Sequence, residues 1–135
     1  MNEVIKGAGF HHIAFRSVQF DKSVAFYKGL GFKAVMEWGA DETRAIMLDI
    51  GDGGFFEIFA NGVKECENQP QAGEFIHIAI KTTDPDGAFN KAIELGATAH
   101  REPFDFELAT TPPTPVRLAF VKGPDGEVLE FFCNR

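Results

Sequence analysis

Apolar residues along this 135-residue chain keep one rhythm and then repeat it. Ile76, Ile78 and Ile80 alternate with His77, Ala79 and Lys81, a period of two that predicts a strand over 75–82. Phe10-His11-His12-Ile13-Ala14-Phe15-Arg16 predicts an equivalent strand over 10–17. After each strand the period lengthens to that of a helix. Val24, Tyr27 and Leu30 fall on one stripe, with Asp21 as the expected cap and Gly31 as the stop. Phe89, Ala92 and Ile93 form the second stripe, with Asp84 as cap, Pro85 in the first turn and Gly96 as stop. Three short strands are expected after each helix, at 33–39, 43–50 and 54–60, then at 97–102, 116–122 and 127–133. Gly51-Asp52-Gly53-Gly54 and Gly123-Pro124-Asp125-Gly126 supply the turn before the last strand of each set. The chain therefore reads as one α+β domain of two tandem βαβββ modules, 8–62 and 73–135.

The two modules repeat residue identity as well as rhythm. Segments 10–35 and 75–100 align without a gap, and eight of the 26 pairs are identical, including His12/His77, Leu30/Leu95 and Gly31/Gly96. A duplication of this kind constrains the architecture before any single residue is interpreted. His12 aligns with His77 at an offset of 65 residues, and Glu57 with Glu130 at an offset of 73. Eight additional residues must therefore enter the second module between residues 100 and 123, where Pro103 to Pro115 forms a proline-rich stretch.

Alternation across a strand assigns faces. If Ile13, Phe15, Ile76, Ile78 and Ile80 seat the helices, then His12, Ala14, Arg16 and His77 point the other way. Parity thus selects His12 over His11. Glu57 shares a face with Phe55 and Phe59, and Glu130 with Val128 and Phe132, so both carboxylates have apolar neighbours. A lone strand histidine or glutamate is usually structural, but here both recur in register. Two imidazoles and two carboxylates would make a neutral site for one divalent ion such as Ni²⁺, Co²⁺ or Zn²⁺, with room for two further oxygens. Asp52 and Asp125 read as turn residues, not ligands.

The net charge of −7 argues against a nucleic-acid groove, and no apolar run is long enough to span a membrane. A soluble cytoplasmic protein is expected. Cys66 and Cys133 fit no metal or redox spacing and read as free thiols. Fifteen Phe against one Tyr and one Trp imply a densely apolar interior and an apolar cleft.

These residues resemble the vicinal oxygen chelate superfamily, the glyoxalase/bleomycin-resistance/dioxygenase group, over essentially the whole chain. The resemblance lies in His12-Ile-Ala-Phe-Arg16, Asp21-Lys-Ser-Val-Ala-Phe-Tyr27, Leu30-Gly-Phe32, Phe56-Glu57-Ile58, His77-Ile-Ala-Ile80 and Gly123-Pro-Asp-Gly126 with Leu129-Glu130-Phe131. It implies paired βαβββ modules whose sheets curl around a metal site, and a homodimer. Within the superfamily the chain looks most like bacterial glyoxalase I, a lactoylglutathione lyase. That resemblance implies His12, Glu57, His77 and Glu130 as metal ligands, with Glu130 and Glu57 as the catalytic carboxylates. It implies Arg16 and Asn61 as the residues holding an anionic substrate end. Its reaction is isomerisation of a hemithioacetal to an α-hydroxy thioester through an enediolate. The basic second-module loop of glyoxalase I has no counterpart here, since 102–116 contains no Lys or Arg. An epimerase of the methylmalonyl-CoA type and a metal-free ligand-sequestering protein are the alternative readings.

Overall fold

The computed structural model describes residues 10, 12–62, 75, 77–110 and 112–135. His11, Ile76, Cys66 and the expected module starts at 8 and 73 lie outside the described residues. The first module runs β1 (His12–Arg16), α1 (Phe20–Gly29), β2 (Lys33–Trp38), a 3-10 turn (Asp41–Thr43), β3 (Ala45–Asp49) and β4 (Phe55–Phe59). The second runs β5 (Ile78–Lys81), α2 (Pro85–Glu94), β6 (Thr98–Leu108), β7 (Thr114–Lys122) and β8 (Val128–Asn134). Each forms a four-stranded mixed sheet, in the orders β1-β4-β3-β2 and β5-β8-β7-β6. The first strand of each module lies parallel to its last, and the other neighbours are antiparallel.

The matched Leu-Gly pairs end the two helices identically. Gly31 and Gly96 have φ of 96° and 98°, a left-handed conformation that costs glycine nothing. Phe32 N–H then donates to Tyr27 C=O and Gly31 N–H to Lys28 C=O, while Ala97 and Gly96 repeat the pattern on Ala92 and Ile93. Helix starts differ. Asp84 caps α2 as expected, accepting from Gly87 N at 2.9 Å. The expected cap Asp21 lies inside α1 instead, and its exposed carboxylate pairs with Arg44 at 2.9 Å. Among the described residues no side chain caps α1, and the amides just before it, Gln19 N and Val18 N, donate to Ser17 Oγ and Asp125 Oδ1.

Face assignments follow the parity. Ile13, Phe15, Ile78 and Ile80 pack on a core that includes buried residues of both modules, among them Tyr27, Phe56, Ala92 and Leu129. Tyr27 is fully buried, with the rings of Phe15, Phe26, Phe32 and Phe56 centred 5.1–5.9 Å away. Such ring pairs each contribute roughly 0.5–1.5 kcal/mol beyond area burial. The Tyr27 hydroxyl donates across the module boundary to Glu127, and burial first, then that carboxylate, pushes it well above the ordinary phenol value. Burial likewise raises the Glu127 carboxyl.

Asp125, read as a turn residue, does more than close its turn. Its carboxylate accepts from Ser17 Oγ at 2.6 Å, from Ser23 Oγ and from Val18 N, clasping the second module's last turn to the start of α1. Among the described residues Asp52, its counterpart, meets only Gly54 N in its own turn.

The proline-rich stretch is the main departure from the expected elements. Its residues extend both strands, so β6 and β7 run as a hairpin through the segment expected to separate them. Pro103 falls where the register shifts between Arg101 and Phe104, a place that needs no ladder N–H. Arg117 fastens the hairpin to α2 by a bidentate pair with Asp86 and a further contact to Asp105. Its hydrogen bonds hold both carboxyls below their usual range. Among the described residues no helix is long and apolar enough to cross a membrane.

Candidate metal and substrate site

The duplicated histidines and glutamates meet in pairs. Ala14 lies opposite Glu57 across the parallel β1/β4 ladder, and His12 stands two residues earlier on the same face. Ala79 lies opposite Glu130 across β5/β8, with His77 again two residues earlier. Identical register produces near-identical geometry. His12 Nε2 is 3.4 Å from Glu57 Oε2, and His77 Nε2 is 3.0 Å from Glu130 Oε2. In both pairs the carboxylate is deep and the imidazole reaches outward, with side-chain exposures of 15% and 39% in the first and 9% and 38% in the second.

These donors suit a divalent ion. Two ligands bound side by side at about 2.1 Å stand roughly 3.0 Å apart in an octahedron and roughly 3.4 Å in a tetrahedron. The two observed separations lie within that range. Each pair supplies one nitrogen and one oxygen.

The structure does not bring the four together within the chain. Among the described residues no three His, Cys, Asp or Glu side chains gather closely enough to hold an ion. The reason is architectural. Helix-side residues of both sheets contribute to one core, and each His–Glu pair sits on the reverse side of its own sheet. One chain thus presents two separate His–Glu pairs.

Arg16 lies on the His12 face at the end of β1, opposite Phe59. Its guanidinium is 5.8 Å from the centre of the Phe59 ring and 3.5 Å from Ala60 C=O. Asn61 follows directly, exposed and with φ of 62°. Both predicted substrate-binding residues therefore lie at one end of the first sheet. Asn61 borders a cleft of about 550 Å³ with Ser17, Lys22 and Asp41.

Sequence reasoning passed over the aromatic lining. Trp38 packs edge-on to Phe59 in the first sheet. In the second, the His77 ring meets Phe120 at 5.9 Å, Phe120 stacks on Phe104, and the Arg101 guanidinium lies 3.5 Å over Phe104. The period-two signal for β7 was present, but the bulges in β6 hide the parity that puts Arg101 and Phe104 on this face.

Comparison with known proteins agrees with this architecture. Residues 9–131 match the Glyoxalase/Bleomycin resistance protein/Dioxygenase superfamily. The chain belongs to that superfamily. The uncharacterized protein YwkD of Bacillus subtilis is 31% identical over 126 residues, covering 90% of this chain and 94% of its own length. Among solved structures, a glyoxalase family protein from Enterococcus faecalis superposes with a TM-score of 0.73 at 22% identity, covering 96% of this chain and 100% of that one. A glyoxalase I mutant from Zea mays superposes with a TM-score of 0.69 at 19% identity, covering 91% of this chain and 43% of that larger one. Identities this low speak for the shared glyoxalase fold alone.

Proposed function

We propose that this glyoxalase-superfamily member is a metal-dependent lyase of the glyoxalase I type. It would isomerise a hemithioacetal to an α-hydroxy thioester. The observation that carries the proposal is the pair of His–Glu contacts, in the same register on equivalent strands, at separations suited to one ion. His12, Glu57, His77 and Glu130 would hold a single Ni²⁺, Co²⁺ or Zn²⁺. Because the half-sites stay apart within the chain, a homodimer completes each site, with His12 and Glu57 from one copy and His77 and Glu130 from the other.

When bound, the ion acts as a Lewis acid toward two adjacent substrate oxygens. The chain's own residues move the proton. Glu130, the most enclosed of the four, takes it from the carbon beside the carbonyl, and Glu57 is placed to return one to the neighbouring carbon. Arg16 and Asn61 hold an anionic end of the substrate at the rim of the first sheet.

The test is metal analysis of purified protein combined with a methylglyoxal–glutathione assay. About one divalent ion per chain is expected, and Glu130→Gln should abolish turnover while leaving the thermal unfolding transition in place. Protein that takes up none of the three ions refutes the reading.

A further inference from the structure

The lengthened β6–β7 hairpin changes what the second sheet offers a ligand. Two of its acidic residues, Asp105 and Glu107, share the side turned away from the site. Asp105 pairs with Arg117, which reaches Asp86 on α2, so Asp105 belongs to the helix side of the sheet. Phe104 and Phe106 flank Asp105 and therefore take the other side, where their rings lie 6.3 Å apart. Arg101 joins them there. Its guanidinium lies over Phe104, and its ladder partner Phe120 touches His77.

A continuous surface results, running from Glu130 through His77, Phe120 and Phe104 to Arg101. Phe120 is the ladder neighbour of Glu130, and Arg101 the ladder neighbour of Phe120. Two strand spacings, roughly 10 Å, thus separate the Arg101 backbone from that of Glu130. Phe104 and Phe120 are half-buried and stacked, which leaves a flat apolar floor. Arg101 is exposed at its end and pairs with no carboxylate among the described residues.

We infer that Arg101, Phe104 and Phe120 form a recognition platform for a substrate with a flat, aromatic or otherwise apolar body that ends in a carboxylate. The apolar body lies on the two rings, and the carboxylate pairs with a guanidinium already oriented by its stacking on Phe104. The matching ladder positions of the first module carry Met36 and Met47, so the platform belongs to the second module alone. It rests on reading the His–Glu face as the ligand face, and not on the metal or the isomerase chemistry.

The experiment is isothermal titration of metal-stripped protein with 3-phenylpropanoate and, separately, with uncharged 3-phenylpropanamide. Wild-type protein should favour the carboxylate. Arg101→Gln should weaken the carboxylate by roughly tenfold or more and the amide by less than about twofold, with Arg101→Lys partly restoring it. Phe104→Leu should weaken both probes about equally. Failure of both probes to bind at millimolar concentration overturns the inference. So does equal loss of both in Arg101→Gln, or a change of oligomeric state in that variant without any effect on the probes. Metal content and methylglyoxal–glutathione turnover are measured on the wild-type protein before it is stripped. Absence of both there, with the probe results as expected, would refute the isomerase reading and leave the platform standing.

Discussion

A mixing experiment tests the arrangement of the two half-sites. His12→Ala removes the nitrogen donor from one half-site and His77→Ala from the other, each leaving its partner carboxylate, Glu57 or Glu130, in place. Both imidazoles are more than a third exposed, so neither change should disturb folding much. In a dimer whose sites combine the two half-sites of different copies, each variant alone has both sites damaged. A heterodimer of the two variants has one doubly damaged site and one intact site. Random reassociation of equal amounts makes about half of all dimers heterodimers, so about a quarter of the wild-type sites return. The readout is bound metal per chain by mass spectrometry, with methylglyoxal–glutathione turnover as a second measure. A mixture of His12→Ala with Glu57→Gln is the control. Both changes lie in the same half-site, so every site in that heterodimer stays damaged and nothing should return. If the first mixture also recovers nothing while wild-type protein binds metal, the sites are not shared between copies. The reasoning from the common core would then be refuted.

Three further outcomes follow from the fold. Asp125→Ala removes the acceptor from two fully buried hydroxyls, of which Ser17 and Ser23 can still satisfy one another at 3.0 Å, so a loss of about 2–4 kcal/mol is expected in urea unfolding. Asp52→Ala, which removes one hydrogen bond in an exposed turn, should cost under about 1 kcal/mol in the same assay. Asp86 and Asp105 have carboxyls lowered by Arg117, so their contribution is present above the unfolded value of roughly 3.9 and is lost as pH falls through the lowered folded values. Thermal unfolding followed from pH 6 down should therefore fall more gently below about pH 4 in Arg117→Met than in wild type. Parallel curves would show that the Arg117 cluster carries no linkage.

Much of the site could be read from the chain because β structure converts spacing into direction. One repeated motif and a period of two were enough to separate His12 from His11 and to pair it with Glu57. The helix stops at Gly31 and Gly96 were equally legible, since a left-handed residue after a helix favours glycine in any fold. Asp21 misled, because the helix starts one residue before it, at Phe20, where Ser17 and Asp125 hold the chain that enters it. Those two residues lie in different modules. The proline-rich stretch misled for a related reason. Proline removes one ladder donor, and its cost depends on whether that donor faces a bulge, which only the paired strand reveals.

The sequence by itself determined the duplicated βαβββ pattern, the faces of the strands and the pairing of His12 with Glu57 and His77 with Glu130, because these follow from local periodicity. Tertiary structure alone decided that both modules share one core, which turns the two His–Glu pairs away from each other. It also decided that the acidic hairpin offers an arginine and aromatic rings to the site face. Both outcomes depend on which surfaces bury against each other, and burial is a property of distant segments meeting rather than of any one segment.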